Sequence, residues 1–162
     1  MQVRLARAAD AESIRTIYND EVSGSTATFD LVPRTSDEQK AWLVDHRGPY
    51  PAVVAVDERA VVLGFGSLSA YRDRPAYATT VENSVYVGGS HRGRGVGRSL
   101  LEELVTLATQ HGFHSIVARI GGDNRPSIAL HEACGFRMVG VEREVGRKFN
   151  RWLDVSVLQR ML

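Results

Sequence analysis

Apolar residues recur along this chain with two different periods, and each change of period marks an element. Residues 3–7 (Val, Arg, Leu, Ala, Arg) alternate and predict a first strand. Ile14, Ile17, Tyr18 and Val22 then recur at three- and four-residue spacing behind Asp10, a residue suited to cap a helix start. The small, polar run from Ser23 to Phe29 predicts a loop. Ser36 with Gln39 has the spacing of a capping box ahead of a second helix carrying Trp42 and Leu43. Two β-rich runs, Pro51–Val56 and Ala60–Ser69, flank Asp57, Glu58 and Arg59, which suit a hairpin turn. Tyr71 to Tyr77 predicts a loop, and Thr79 to Val87 a further strand.

Beyond Val87 the helical period returns in its clearest form. Val96, Leu100, Leu101, Leu104, Val105 and Ala108 share one face of a helix that Gly112 closes. Ser115–Ile120 predicts a strand, Asn124 the cap of a short helix with Pro126 in its first turn, and Phe136–Val145 and Trp152–Leu158 two final strands. The predicted order is β-α-α-β-β-β-α-β-α-β-β, an α/β (α+β) arrangement with a mixed sheet flanked by helices. No repeat or linker interrupts it. The 162 residues therefore read as a single domain, 1–162, long enough to bury a core.

Charge and cysteine content narrow the chemistry. Twenty Lys and Arg face 19 Asp and Glu, a formal net charge of +1, which offers no general attraction to nucleic acid or to an anionic membrane. Any anion site must be a local cluster. Cys134 is the only cysteine, which excludes an internal disulfide and a cysteine-rich metal site. The first ten residues lack a signal-peptide core, and no run approaches the roughly 20 apolar residues of a membrane span. A cytoplasmic, metal-free protein is expected.

The local cluster is His91-Arg92-Gly93-Arg94-Gly95-Val96-Gly97-Arg98, set between the strand ending at Val87 and the strongest helix. A helix N-terminus presents unpaired N–H groups and the positive end of its dipole. Gly93, Gly95 and Gly97 remove side chains from the approach, and Arg92, Arg94 and Arg98 add positive charge, so the segment predicts a polyphosphate site. It lacks the Lys of a P-loop. Its Gly-x-Gly-x-Gly spacing, and the absence of an acidic residue closing the Ser115–Ile120 strand, disfavour a dinucleotide fingerprint.

What remains, Arg92-x-x-Gly95-x-Gly97, resembles the pyrophosphate-binding motif of the GNAT acyl-CoA N-acyltransferases. The segment Asn124 to Phe136, an Asn opening a helix that ends at Gly-Phe, resembles that superfamily's downstream block. The resemblance implies the GNAT fold and acetyl-CoA as cosubstrate. It also implies that Val85, Tyr86 and Val87 pair with the pantetheine amides, with Asn124 and Ser127 beside the arm. His131 stands where many members carry a tyrosine that protonates the departing thiolate. It is a candidate acid, with an ordinary packed histidine as the alternative reading.

The blocks Thr80–Val87 and Glu144–Asp154, with Thr26–Phe29 and Arg72-x-Arg74-Pro75, are similar to the branch that acetylates phosphinothricin, methionine sulfoximine and methionine sulfone. An amine must lose a proton before attacking a thioester, and Glu82, on the strand ending at Val87, is the expected base. Arg72 and Arg74, with Asp73 between them, and Lys148 are the expected anchors of the acceptor's anionic groups. Phe29 and Phe149 are expected as its walls. No Ser-His-Asp or Cys-His nucleophile is evident, so direct transfer is expected rather than an acyl-enzyme. The resemblance implies a homodimer acting on a small-molecule amine. The alternatives are an acetyltransferase for peptides, polyamines or aminoglycosides, and a non-catalytic acyl-CoA-binding module.

Overall fold

The computed structural model describes residues 1–162 and contains seven strands and four α-helices in the expected order. They are β1 (Gln2–Leu5), α1 (Ala11–Gly24), α2 (Ser36–Asp45), β2 (Ala52–Val56), β3 (Val62–Ala70), β4 (Thr80–Val87), α3 (Val96–Gln110), β5 (Ser115–Gly121), α4 (Arg125–Ala133), β6 (Arg137–Lys148) and β7 (Arg151–Met161). One sheet takes all seven strands in the order β1-β2-β3-β4-β5-β7-β6. Every neighbouring pair is antiparallel except β4 and β5, which run parallel with α3 as the crossover.

Both sheet faces are packed, and the strand period sorts residues between them. Val81 of β4 and Ile116, Ala118 and Ile120 of β5 join the fully apolar face of α3 in the larger core cluster. Phe65 of β3, on the other face, packs with Ile14, Ile17, Tyr18 and Val22 of α1 and Leu43 of α2. Gly64 and Gly66 flank Phe65 on the α3 side. A Cβ at Gly64 would meet the Tyr86 carbonyl oxygen at 2.7 Å, so the close approach there requires glycine, and one at Gly66 would press on Leu104 Cδ1 at 2.9 Å.

Two expected caps are realised differently. Asp10 does not cap α1 by accepting from its first turn. It ends a short 3-10 turn, Ala8–Asp10, and its carboxylate accepts from Arg7 N–H at 2.7 Å and from both terminal nitrogens of Arg4 at 2.7 and 2.9 Å. The capping box of α2 lies one residue earlier than expected: Glu38 N–H donates to Thr35 Oγ1 and Thr35 N–H to Glu38 Oε2. Ser36 instead donates to Glu12 on α1. Ser23 and Gly24, expected in the loop, extend α1.

The last two strands are longer than expected and meet at a two-residue turn. Phe149 and Asn150 both adopt left-handed backbone, φ 50° and 57°, the conformation of a type I′ hairpin. Lys148 and Arg151 are therefore direct cross-strand partners.

Candidate active site

The parallel ladder between β4 and β5 runs only from Thr80 opposite Ser115 to Asn83 opposite Ala118. Beyond it β4 continues to Val87, bonded to β3, and β5 continues to Gly121, bonded to β7. The two strands part, and the facing main-chain groups of Ser84–Val87 and Arg119–Gly121 are left without each other. This gap opens into a cleft of about 600 Å³ bordered by Val85, Tyr86, Val87, Arg92, Asn124 and Ser127.

The start of α3 forms one end of the cleft. Gly95 is its N-cap with φ 81°, and Gly93 has φ 72°. A Cβ at either would meet nothing within 4 Å, so these glycines serve the left-handed backbone rather than clearance. Gly97 serves packing, because a Cβ there would lie 3.1 Å from Leu130 of α4. Arg92, Val96 and Arg98 border the cleft, whereas exposed Arg94 does not. Arg92 and Arg98 each have a carboxylate partner, Glu21 and Glu102 respectively. At the opposite wall Asn124 caps α4, its Oδ1 accepting from Ser127 N–H at 3.2 Å. The cap leaves the Asn124 amide nitrogen free to donate.

His131 lies at the apex of the gap, buried. Its Nδ1 is 2.8 Å from the Ser127 carbonyl, which can only accept, so that nitrogen carries the proton. Nε2 is 2.9 Å from Asn83 Nδ2 and accepts from it. Burial holds the imidazole below its ordinary pKa, against the raising effect of the Ser127 carbonyl. A neutral ring so bonded has no proton to offer a thiolate, which departs from the expected acid role. The free polar atom at the apex is Asn83 Oδ1, on a side chain 5% exposed, without a hydrogen-bond partner. An orphaned acceptor, two open strand edges and a helix N-terminus in line fit a ligand with amides at one end and phosphates at the other.

The opposite parity of β4 carries Glu82, the expected base. Glu82 is half-buried and pairs across to Val117. Burial raises its pKa, the Arg119 charge restrains the rise, and Glu142 adds to it. Arg119 and Glu142 form a two-pronged pair at 2.9 and 2.5 Å. Sequence reasoning missed both, because they adjoin only when β6 lies beside β7. Arg72 stacks on Tyr71 and Tyr77 with centroid distances of 5.0 and 5.6 Å, and its charge reaches Glu142. Asp73 and Arg74 are exposed on the same loop and make no ion pair.

Lys148 is placed differently from the expected anchor. It is buried, and its Nζ donates to the Thr28 carbonyl at 2.9 Å and the Glu21 carbonyl at 3.4 Å. Burial lowers its pKa against the raising charges of Asp30 and Glu21. The ammonium thus ties the segment after α1 to the β6–β7 hairpin. That segment carries Phe29, whose ring lies against Gly121 and Gly146, so close that a Cβ at either would overlap it. Phe149, at the hairpin turn, is exposed.

The sheet thus parts beside a helix N-terminus, and Glu82 lies half-buried on one of the two parted strands. The acetyltransferase (GNAT) domain family matches residues 3–157. A phosphinothricin N-acetyltransferase of Streptomyces coelicolor is 41% identical, covering 100% of this chain and 96% of that protein. An L-methionine sulfoximine/L-methionine sulfone acetyltransferase of Pseudomonas aeruginosa is 40% identical over 97% of this chain and 92% of its own. Among solved structures, a phosphinothricin acetyltransferase from Sinorhizobium meliloti in complex with AcCoA superposes with a TM-score of 0.96 at 42% identity, covering 99% of this chain and 88% of that one. A ribosomal-protein-alanine N-acetyltransferase from Brucella melitensis gives 0.97 at 36% identity over the whole of both chains. This chain belongs to the GNAT acetyltransferase family, and acetyl-CoA is its cosubstrate.

The state of His131 makes a stability prediction. Its folded pKa is depressed, so below about pH 6.5 the unfolded chain binds a proton that the folded protein does not. The stability it contributes is present above that pH and is lost as pH falls through it. Denaturant titrations from pH 8 to 5 should show this decline. His131→Gln should reduce the slope, leaving the part due to buried His46, and an unchanged slope would refute the neutral assignment.

Proposed function

We propose that this protein transfers the acetyl group of acetyl-CoA to the primary amine of a small amino-acid-like acceptor, of the phosphinothricin, methionine sulfoximine and methionine sulfone kind. The observation that carries the reading is Glu82, a half-buried carboxylate with raised pKa beside the point where β4 and β5 part. Open strand edges on β4 and β5 take the pantetheine arm, with Asn124 and Ser127 beside it. The α3 N-terminus takes the pyrophosphate, and the thioester is brought to the apex near Asn83.

Glu82 accepts a proton from the acceptor ammonium, directly or through water. The freed amine attacks the thioester carbon; the C–N bond forms, the nitrogen releases its second proton to solvent, the C–S bond breaks, and solvent protonates the departing thiolate. A main-chain N–H of β4 steadies the oxyanion. Arg72 and Arg74 pair with the acceptor's anionic groups, and Phe29 and Phe149 bound the site. Lys148 contributes by holding the Phe29 segment in place.

A screen of acetyl-CoA-dependent thiol release should show turnover with phosphinothricin or the two methionine derivatives. Turnover confined to a peptide beginning with alanine would transfer the reading to protein N-termini, the activity in the name of the Brucella melitensis structure. Glu82→Gln should lower kcat by about 10²–10³ near pH 7 while CoA affinity stays within about twofold. The acid limb of the wild-type pH profile, placed above the ordinary carboxylate range, should vanish with it.

The functional form is proposed to be a cytoplasmic homodimer. Val139, Val141, Val145, Phe149 and Trp152 expose apolar surface along the β6–β7 edge of the sheet, which a second copy would cover. No helix is long and apolar enough to cross a membrane. Light scattering should give twice the chain mass, and Val141→Lys with Trp152→Glu should shift it toward the monomer.

A further inference from the structure

One wall of the donor cleft carries a charge of the wrong sign. Glu21 lies in the last turn of α1, with 9% of its side chain exposed, and borders the same cleft as Arg92, Gly93 and Gly95. Three effects oppose a carboxylate there: loss of hydration, the negative end of the α1 dipole, and the like charge of a polyphosphate in the cleft. The groups that offset them are specific. Ser25 Oγ donates to Glu21 Oε2 at 2.5 Å, and Arg92 Nη2 donates to Oε1. Lys148, the other nearby cation, reaches only the Glu21 main-chain carbonyl and that of Thr28. Arg92 is thus the one cation paired with this carboxylate, and its Nε is turned to the Val87 carbonyl at 3.3 Å.

We propose that Glu21 is an internal counter-ion of the donor site, competing with the pyrophosphate of CoA for the charge of Arg92 and so setting how tightly CoA is held. The inference rests on the acetyl-CoA reading of the cleft. A guanidinium has five N–H donors, so Arg92 need not leave Glu21 to meet a phosphate. The ligand nevertheless meets an arginine whose charge is already largely balanced. CoA keeps its pyrophosphate after the acetyl group has gone, so product release depends on the same contacts as donor binding. Glu21 eases that release at the expense of affinity.

Glu21→Gln keeps an oxygen for Arg92 and removes the charge, while its amide nitrogen reverses the Ser25 contact by donating to Oγ. Calorimetry at low ionic strength should give a Kd for CoA about three- to fivefold lower than wild type, a gain that shrinks as salt is added. Pantetheine, which has no phosphate, should bind both proteins alike, so the ratio of the two affinities rises. Arg92→Gln should weaken CoA binding by stranding a buried carboxylate beside the ligand, and adding Glu21→Gln should recover part of the loss. Glu21→Ala carries the same expectation should the amide disturb folding. CoA binding that is unchanged or weaker in Glu21→Gln overturns the proposal, as does an equal shift for CoA and pantetheine, or no recovery in the double variant. Absence of CoA binding by the wild type removes the donor reading and this proposal with it. Wild-type binding without a gain in Glu21→Gln removes this proposal alone.

Discussion

The ending of the β4–β5 ladder at Asn83 and Ala118 is the constraint on which the rest of the molecule depends. A buried strand edge without hydrogen-bond partners is costly, so a sheet rarely opens in its middle. Here each strand is held on its outer side, β4 by β3 over seven pairs and β5 by β7 over seven more. Those ladders carry the two halves of the sheet apart. The parted edges border the cleft, where water or a ligand that adds to a strand edge can meet their main-chain groups. The gap is therefore both the structural irregularity and the place proposed for the donor.

Everything that borders the gap is positioned by packing on one of the two faces. The α3 N-terminus is aimed at the cleft because Leu100, Leu101 and Leu104 lock the helix onto the sheet, and Gly97 lets α4 come close beside it. His131 and Asn83 join α4 to β4 at the apex through a buried polar contact, fully used on the imidazole side and open on the amide side. On the other face Lys148 joins the segment after α1 to the last hairpin, where Phe29 rests on two glycines. A buried lysine that spends its ammonium on main-chain carbonyls fixes geometry rather than recognising a ligand.

Electrostatically the protein is nearly neutral as a whole and strongly patterned locally. Two of the three arginines of the α3 loop are paired with carboxylates, and the sheet beside Glu82 repeats the device with Arg119 and Glu142. Balanced pairs lower the long-range field while keeping donors in place, which suits a site that must bind an anion and then let it go. Glu82 stands apart from these pairs. Its carboxylate makes no ion pair, and burial raises its pKa.

The order of elements, the apolar face of α3, the glycine-rich turn into α3 at residues 91–98 and the caps at Asn124 and Gly112 were legible in the sequence, because each is set by residues near one another along the chain. Glu82 was legible as a position on a strand, though its environment was not. The caps of the first two helices moved because Asp10 and Glu38 bond to residues that precede them, a choice between near-equal local options. The engagement of His131 by Asn83, the inward turn of Lys148, the pairing of Glu21 with Arg92 and of Arg119 with Glu142, and the parting of β4 from β5 came only with the tertiary structure. Each joins groups 23 to 127 residues apart, or depends on where a ladder stops. Local sequence determines periodicity and turn chemistry; it does not determine which distant partner claims a charge or a strand edge, because that competition is decided by burial after the layers have packed.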